Sequence, residues 1–579
     1  MEYALLIIAG IIVLVATAAF SKKLGVATPI LLVVIGIGYS LVPGAPHIGL
    51  NPELVLEVLL PLLLYAAAVQ VPLMDFRRNL RGITMLSVVL VVVSAVVVGF
   101  ILYALLPQLD LAAAIALGAV VSPTDAVAAT AVAKRLGLPA RDVTLLEGES
   151  LVNDATALVL LKSAIAATAT SVSLWSVAGD FVRSVVVAVV VGLIIGFVTV
   201  WVRSKFSDPI LETVVTFVVP FLAFIPTEAL GASGALSVVV AGLYAGHQSA
   251  RRLSALSRMS ERVNWRVIAF IIENGVFLMM GAELTSLVRE SVQHAEIGLG
   301  ATIAMGLLVV AVLLVVRALV VMPVLYSIRR AAGRADDSRE RLSSMQDRIR
   351  SIRDRLGDGH RASARVRRAE HTIARRDADM IDLQKNNVGW RDGAVLTWAG
   401  MRGVVTLAAA QSLPANTPYR AQLVLIAFIV AIVTLLAQGG TLPWVIRLTK
   451  IRGTDAAADL RELASLLDEI ADAAEEALNG ASIDLPEGVE IDQAVTERLR
   501  REINALAESA WEQAAVHEGE APVGPHAQYR MLLRVTIDAE REALLEARSK
   551  GVYPSRVLNR AESLLDQEEA RLDQGAGRD

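Results

Sequence analysis

Val121-Ser122-Pro123-Thr124-Asp125 lies inside an apolar stretch, and a basic loop later comes Glu147-Gly148-Glu149-Ser150-Leu151-Val152-Asn153-Asp154. These two segments decide the fold. Pro123 has no backbone donor and turns Ser122 away from helical geometry, so a helix drawn through 111–133 is expected to break at this point. In a bilayer the freed backbone groups need hydroxyl side chains, water or other protein partners. A broken helix with an acid at the break is how transporters build an ion site near the membrane midplane. In the second segment, helical spacing sets Glu147, Ser150 and Asp154 on one stripe and Glu149 and Asn153 on its neighbour. Asp154 then enters 155–168, which holds no further acid. A bare charge there is costly, so the carboxylate is expected to hold a proton or a small cation. The competition between them is sufficient for exchange. The donors at hand are carboxylates, Ser, Thr, Asn and backbone carbonyls, and oxygen-only sets suit hard cations.

The surroundings of these segments read as membrane. The 579 residues are 55% hydrophobic and 19% charged, with mean hydropathy +0.56, against about 25% charged in soluble domains. A lipid-spanning helix takes roughly 20 apolar residues. Thirteen candidates follow, at 3–20, 28–43, 53–71, 83–107, 111–133, 147–170, 178–202, 208–228, 231–247, 264–285, 296–326, 393–413 and 420–447. The first lacks a basic leader region and is expected to be a retained span. Charge divides the chain into four parts: a transport domain over 1–327 with net charge 0, an insert over 328–390 with net +6, two last spans over 391–449 with net +3, and a tail over 450–579 with net −13. The fold class expected is therefore an all-α polytopic membrane protein with a basic helical insert and an acidic helical tail.

Every second loop is basic: Lys22 and Lys23, Arg77 to Arg81, Lys134 to Arg141, Arg203 and Lys205, Arg251 to Arg262, then the insert. Lys and Arg mark the cytoplasmic side, which puts the N-terminus outside and the C-terminus inside a plasma membrane. The insert has an amphipathic spacing at Leu342, Met345, Ile349, Ile352 and Leu356, and the tail opens with Leu460, Leu463, Leu467, Ile470 and Ala474. No cysteine is present, which removes disulfides, thiol catalysis and cysteine metal sites. No phosphate loop or cofactor motif is evident.

Two arginines lie in apolar spans, Arg317 and Arg402, and neither can shed its charge. Each needs a carboxylate or backbone carbonyls, with Glu147, Glu149 and Glu273 as the candidate acids. Their roles are expected to be architectural, and Glu273 is expected to serve a structural ion pair. Gly400-Met401-Arg402-Gly403 predicts a second helix break. The two breaks lie seven spans apart, which fits two inverted six-span repeats joined by a linker span.

Together these motifs resemble the first branch of the monovalent cation/proton antiporters, the bacterial sodium/hydrogen exchangers. Ser-Pro-Thr-Asp at 122–125, Gly-Glu-Ser-Leu-Val-Asn-Asp at 148–154, Gly-Met-Arg-Gly at 400–403, Leu60 to Tyr65 and Asn274 to Leu284 carry the resemblance, in register over roughly 1–450. It implies a homodimer that exchanges Na⁺ or Li⁺, sometimes K⁺, for H⁺ by an elevator-like motion, without a cofactor and without nucleic acid. It makes Asp154 the main proton and ion carboxylate, with Thr124, Asp125 and Ser150 as Na⁺ ligands. Asn153 before the site Asp is the pattern of electroneutral exchange. Glu149 and Arg402 are similar to the family's buried pair. Ala66 stands where many members carry an acid near the ion path. The rival readings are a K⁺/H⁺ antiporter, or a cation channel or ion sensor on the same scaffold. An intramembrane hydrolase lacks a water-activating pair.

Overall fold

The computed structural model describes residues 2–44, 46, 49, 51–169, 174–206, 208–294, 296–333, 372–373, 375–377, 379–381, 389–451, 453, 456–479, 492–517, 524–551, 553–575. The amphipathic run expected at Leu342 to Leu356 lies outside the described residues. The chain forms two compact units, Met1–Gly453 and Thr454–Asp579. All regular elements among the described residues are helices.

Among the described residues, seven helices of the first unit are long and apolar enough to cross a membrane: Leu80–Leu105, Ala140–Thr168, Ala178–Arg203, Pro209–Ala229, Ala255–Ala282, Leu299–Arg330 and Arg420–Thr449. Shorter apolar helices cover Leu5–Ser21, Thr28–Ser40, Leu54–Gln70 and Leu111–Val121. In chain order, the helices that frame the site are α1 (Leu54–Gln70), α2 (Leu80–Leu105), α3 (Leu111–Val121), α4 (Val127–Arg135), α5 (Ala140–Ala169), α6 (Leu174–Arg203), α7 (Pro209–Ala229), α8 (Gly234–Arg252), α9 (Ala255–Ala282), α10 (Leu299–Ala332), α11 (Trp390–Trp398), α12 (Val404–Gln411) and α13 (Arg420–Thr449).

Hydropathy misplaces some ends. α5 starts at Ala140 and α9 at Ala255, seven and nine residues before the apolar runs begin. Both leading turns are polar, so they are helix outside any apolar window. Ser254 caps α9 by accepting from the Ser257 N–H at 3.1 Å, which is what starts a helix this early. Two helices contain wide π turns directly ahead of a proline, Leu54–Leu59 before Pro61 and Thr434–Gly439 before Pro443. A proline ring clashes with the carbonyl four residues back, and the wide turn makes room for it.

The helices of this unit sort into two packed groups. In one, α3 packs on α2 and α5, α10 packs on α11 and α13, and α12 packs on α3 and α13. In the other, α8 packs on α6, α7 and α1, and α9 packs on α1 and Thr28–Ser40. Two ion pairs belong to the second group or tie the first to it. Arg203 and Glu261 form a fully buried pair at 2.8 Å, and Lys162, itself exposed, bonds Glu228. Arg77 and Arg78 both reach Asp379, at 3.3 and 2.8 Å.

In the second unit, α14 (Ala456–Asn479) and α15 (Gln493–His517) lie antiparallel, with Trp511 Nε1 on Asp468 at 2.8 Å and Asn504 on Glu475 at 2.9 Å. The seam is narrower than the sequence suggested. Ala464 and Ala471 of α14 and Ala507 and Ala510 of α15 are buried, while Leu463 and Ile470 of the expected stripe are exposed. Small side chains let the two backbones approach, so the alanines take the interface. α16 (Pro525–Lys550) and α17 (Ser555–Gly575) make a second hairpin held by Arg541–Asp566 and Arg548–Glu562 at 2.5 and 2.8 Å.

Candidate functional site

Two helix breaks meet inside the first unit. The first runs over 122–126 between α3 and α4, and the second over 399–403 between α11 and α12. Each supplies what the other lacks. The Asp125 N–H donates to the Met401 carbonyl at 2.7 Å, and Arg402 Nε donates to the Val121 carbonyl at 3.1 Å. Unwound backbone away from water must find such partners. The four helix ends at the crossing carry partial charges, positive at N-termini and negative at C-termini. Arg402 covers the negative ends, bonding Val121 O of α3 and Gly400 O beyond α11. Asp125 covers the positive ends. Its Oδ1 accepts from the Val127 N–H at 2.8 Å, and its Oδ2 lies against Gly403.

That last contact fixes the residue type at 403. A Cβ on Gly403 would lie 2.2 Å from Asp125 Oδ2. Gly403→Ala is therefore expected to displace Asp125 and slow transport at least about tenfold, since misplacement by an ångström costs a site about that or more. Gly440→Ala is the matched control, because a Cβ there meets nothing within 4 Å. Initial transport rates on the two variants check this.

Arg402 does not pair with Glu149, as the resemblance led one to expect, nor with Glu147. Arg317 takes Glu149 in a two-pronged bond, Nη1 to Oε1 at 2.5 Å and Nη2 to Oε2 at 2.9 Å, and gives its Nε to Leu396 O at 3.0 Å. The reason is local. Gly400 has no side chain, so the Arg317 guanidinium occupies the space a Cβ would need, 2.5 Å from Nε. Glu147 instead pairs with Lys134 at 2.7 Å.

Glu149 also accepts from the Thr124 hydroxyl at 2.7 Å, and Asn153 Nδ2 donates to both the Thr124 hydroxyl and carbonyl at 3.0 Å. So Arg317, Glu149, Thr124 and Asn153 form one chain of bonds that holds the unwound strand. Asn153, expected among the ion-binding groups, is buried behind that strand and does not line the cavity beside it. One turn earlier on α5, Ser150 Oγ accepts from the Ala126 N–H at 3.3 Å.

The cavity measures about 560 Å³ and lies where the two helix groups meet. Thr124, Asp125, Ser150 and Asp154 line one wall. The other wall comes from α1 and α9. Asp154 makes no hydrogen bond or ion pair among the described residues. Glu273, expected in a structural pair, has none among the described residues either, and it faces the cavity. Ala66 is fully buried and off the cavity wall, where Leu63, Ala67 and Gln70 stand instead. Tyr65 packs on Trp265, ring centroids 5.0 Å apart. The sequence reading missed Gly403 as a contact of Asp125 and missed the buried Arg203–Glu261 pair. The first was signalled by the second glycine of 400–403. The second had no signal, because Arg203 read as a loop charge.

A crossing of two broken helices, plugged by an arginine and an aspartate, beside a cavity with two uncommitted carboxylates, Asp154 and Glu273, is an arrangement suited to a membrane carrier of small cations. The known proteins agree on the class. The family model described as sodium/hydrogen exchanger, transmembrane, matches residues 10–448, and the chain belongs to that family: it is a secondary transporter and not an enzyme. An uncharacterized Na⁺/H⁺ exchanger of Mycobacterium tuberculosis is 27% identical over 97% of this chain and 95% of its own. The sodium, potassium, lithium and rubidium/H⁺ antiporter of Bacillus pumilus is 29% identical over 48% of this chain and 43% of its own. The solved structure of the sodium proton antiporter MjNhaP1 from Methanocaldococcus jannaschii shares the fold, with a TM-score of 0.54 at 16% identity over 77% of this chain and 98% of that one.

Proposed function

We propose that this chain exchanges Na⁺ or Li⁺ for H⁺, one for one and without net charge movement, with both ions competing for Asp154. The observation that carries the reading is the Asp154 carboxylate itself, which lines the cavity and has no hydrogen bond or ion pair among the described residues. A carboxylate that has no partner of its own in a mostly apolar cavity takes up one cation at a time, proton or metal. Asp125, Ser150 and the Thr124 oxygens lie on the same wall and complete a hard-oxygen set for Na⁺. Asn153 before Asp154 is the pattern that accompanies electroneutral exchange in the family this chain resembles, and it supports the one-for-one reading.

The seam between the two helix groups supports alternating access, with the group that carries the crossing moving against the other. The protein works as a homodimer in a plasma membrane, with thirteen spans in two inverted six-helix repeats, its N-terminus outside and its C-terminus inside. The basic 328–390 insert and the acidic 450–579 tail are cytoplasmic.

K⁺ is the second cation to test, because a relative is named for Na⁺, K⁺, Li⁺ and Rb⁺. The experiment is an imposed pH gradient across liposomes that hold the purified protein, with each cation added in turn. Electroneutral exchange collapses the gradient with no need for valinomycin or a protonophore. A continuing current without a counter-ion would mean a channel instead.

Competition at one carboxylate also sets the pH profile. At low pH Asp154 stays protonated on both faces, and at high pH the driving proton is scarce. The expected initial rate at fixed Na⁺ is bell-shaped, and the acid limb should move to lower pH as Na⁺ is raised. A rate flat across several pH units, or an acid limb indifferent to Na⁺, contradicts competition.

A further inference from the structure

Among the described residues, six charged side chains line the cavity: Asp125, Lys134, Glu147, Asp154, Arg266 and Glu273. Three are already engaged. Lys134 and Glu147 neutralise each other at 2.7 Å, and Asp125 caps α4 through Val127. Asp154 is the carboxylate assigned to exchange. That leaves Arg266 and Glu273, both on α9, in the helix group that does not carry the crossing. Seven residues separate them, about 10 Å along the helix axis, and no ion pair joins them among the described residues. The positions 266, 269, 270, 273, 276 and 277 fall on one face of α9, and that face is the cavity wall.

Glu273 is thus a carboxylate that faces the same space as Asp154 from the opposite wall, with no partner of its own. Holding such a group bare is unfavourable unless a proton or a cation offsets it. We propose that Glu273 is a further, affinity-setting carboxylate of the cation path: it draws the cation into the cavity and sets the apparent Na⁺ affinity at Asp154. It acts on the cation from the helix group opposite the binding residues. Its removal would leave Arg266 as the nearest charge on that wall, which repels cations. The proposal rests on exchange at Asp154.

The test titrates Na⁺ against initial rate at one fixed pH, in liposomes holding the full chain, for the wild type, Glu273→Gln and Glu273→Asp. A second readout is the Na⁺ concentration that half-saturates thermal stabilisation of each purified protein, which needs no turnover. Glu273→Gln should raise KM for Na⁺ about five- to tenfold, with a smaller fall in maximal rate, and should move the stabilisation midpoint by a similar factor. Glu273→Asp should return both within about twofold of the wild type. The inference is overturned if Glu273→Gln leaves KM and the midpoint in place. It is equally overturned if maximal rate and melting temperature fall with no change in the Na⁺ midpoint, because that is a structural role. A wild type that exchanges while Glu273→Gln titrates like it removes this inference alone. A wild type that does not exchange removes the Asp154 reading and this inference together.

Discussion

Asp154→Asn should leave reconstituted protein with no Na⁺-driven proton movement above empty liposomes, a loss of at least about a hundredfold. The substitution keeps the shape of the side chain and removes the two properties exchange needs, a proton that can leave and a negative charge that can receive a cation. It is expected to do so without disturbing the fold, because Asp154 has no hydrogen bond or ion pair to lose among the described residues. Melting temperature should stay level or rise, since a buried carboxylate without a partner opposes folding. Na⁺ should no longer raise it. Retained exchange in the variant would move the coupling site to Asp125 or Glu273. A variant that fails to insert would show that Asp154 has a structural role, which its surroundings do not suggest. Together, the rate and the Na⁺-dependent melting shift separate loss of the binding group from loss of the protein.

How far the sequence carries depends on whether a feature is set locally or across the membrane. The break at 122–126 is legible because Pro123 has no donor to continue the helix, although Ser122, expected to leave helical geometry, keeps it at φ −76° and ψ −42°. The break at 399–403 is legible because two glycines flank an arginine that must find polar partners. Asp154 is conspicuous because no further acid follows it through residue 168. What cannot be read is who meets whom between spans. Arg402 and Arg317 look equivalent along the chain. Only the crossing shows that carbonyls at two helix C-termini answer Arg402, and that Gly400 leaves the space through which Arg317 reaches Glu149. Glu273 is misread for the same reason: a helix carries the acid, but the face it turns to the cavity depends on how α9 packs. Helix starts at Ala140 and Ala255 escape a hydropathy reading because a polar helical turn looks like a loop.

The chain Arg317–Glu149–Thr124–Asn153 leads to the second large effect. Arg317 and Glu149 are both essentially without exposure, and breaking such a pair by removing one partner costs about 3–5 kcal/mol because a buried charge is left over. Arg317→Met strands the Glu149 carboxylate, and Glu149→Met strands a guanidinium that, among the described residues, keeps only Leu396 O as acceptor. Each single variant should therefore unfold at markedly lower temperature or denaturant than the wild type. Replacing both removes both charges, and apolar substitutes of similar volume are often neutral for stability. The double variant should accordingly be more stable than either single one. Its transport should not return with its stability. Thr124 loses the acceptor that fixes its hydroxyl, so the strand carrying Thr124 and Asp125 loses one of its three anchors on α5, Glu149, Ser150 and Asn153, and misplaced ligands slow a site steeply. A melting series on the four proteins gives the coupling energy, and their exchange rates show whether the pair serves the ion site beyond holding the fold. If the double variant recovered both stability and rate, the pair would be structural only. If it recovered neither, the energy at this position would lie in hydrogen bonds to the unwound strand rather than in the pairing of two charges.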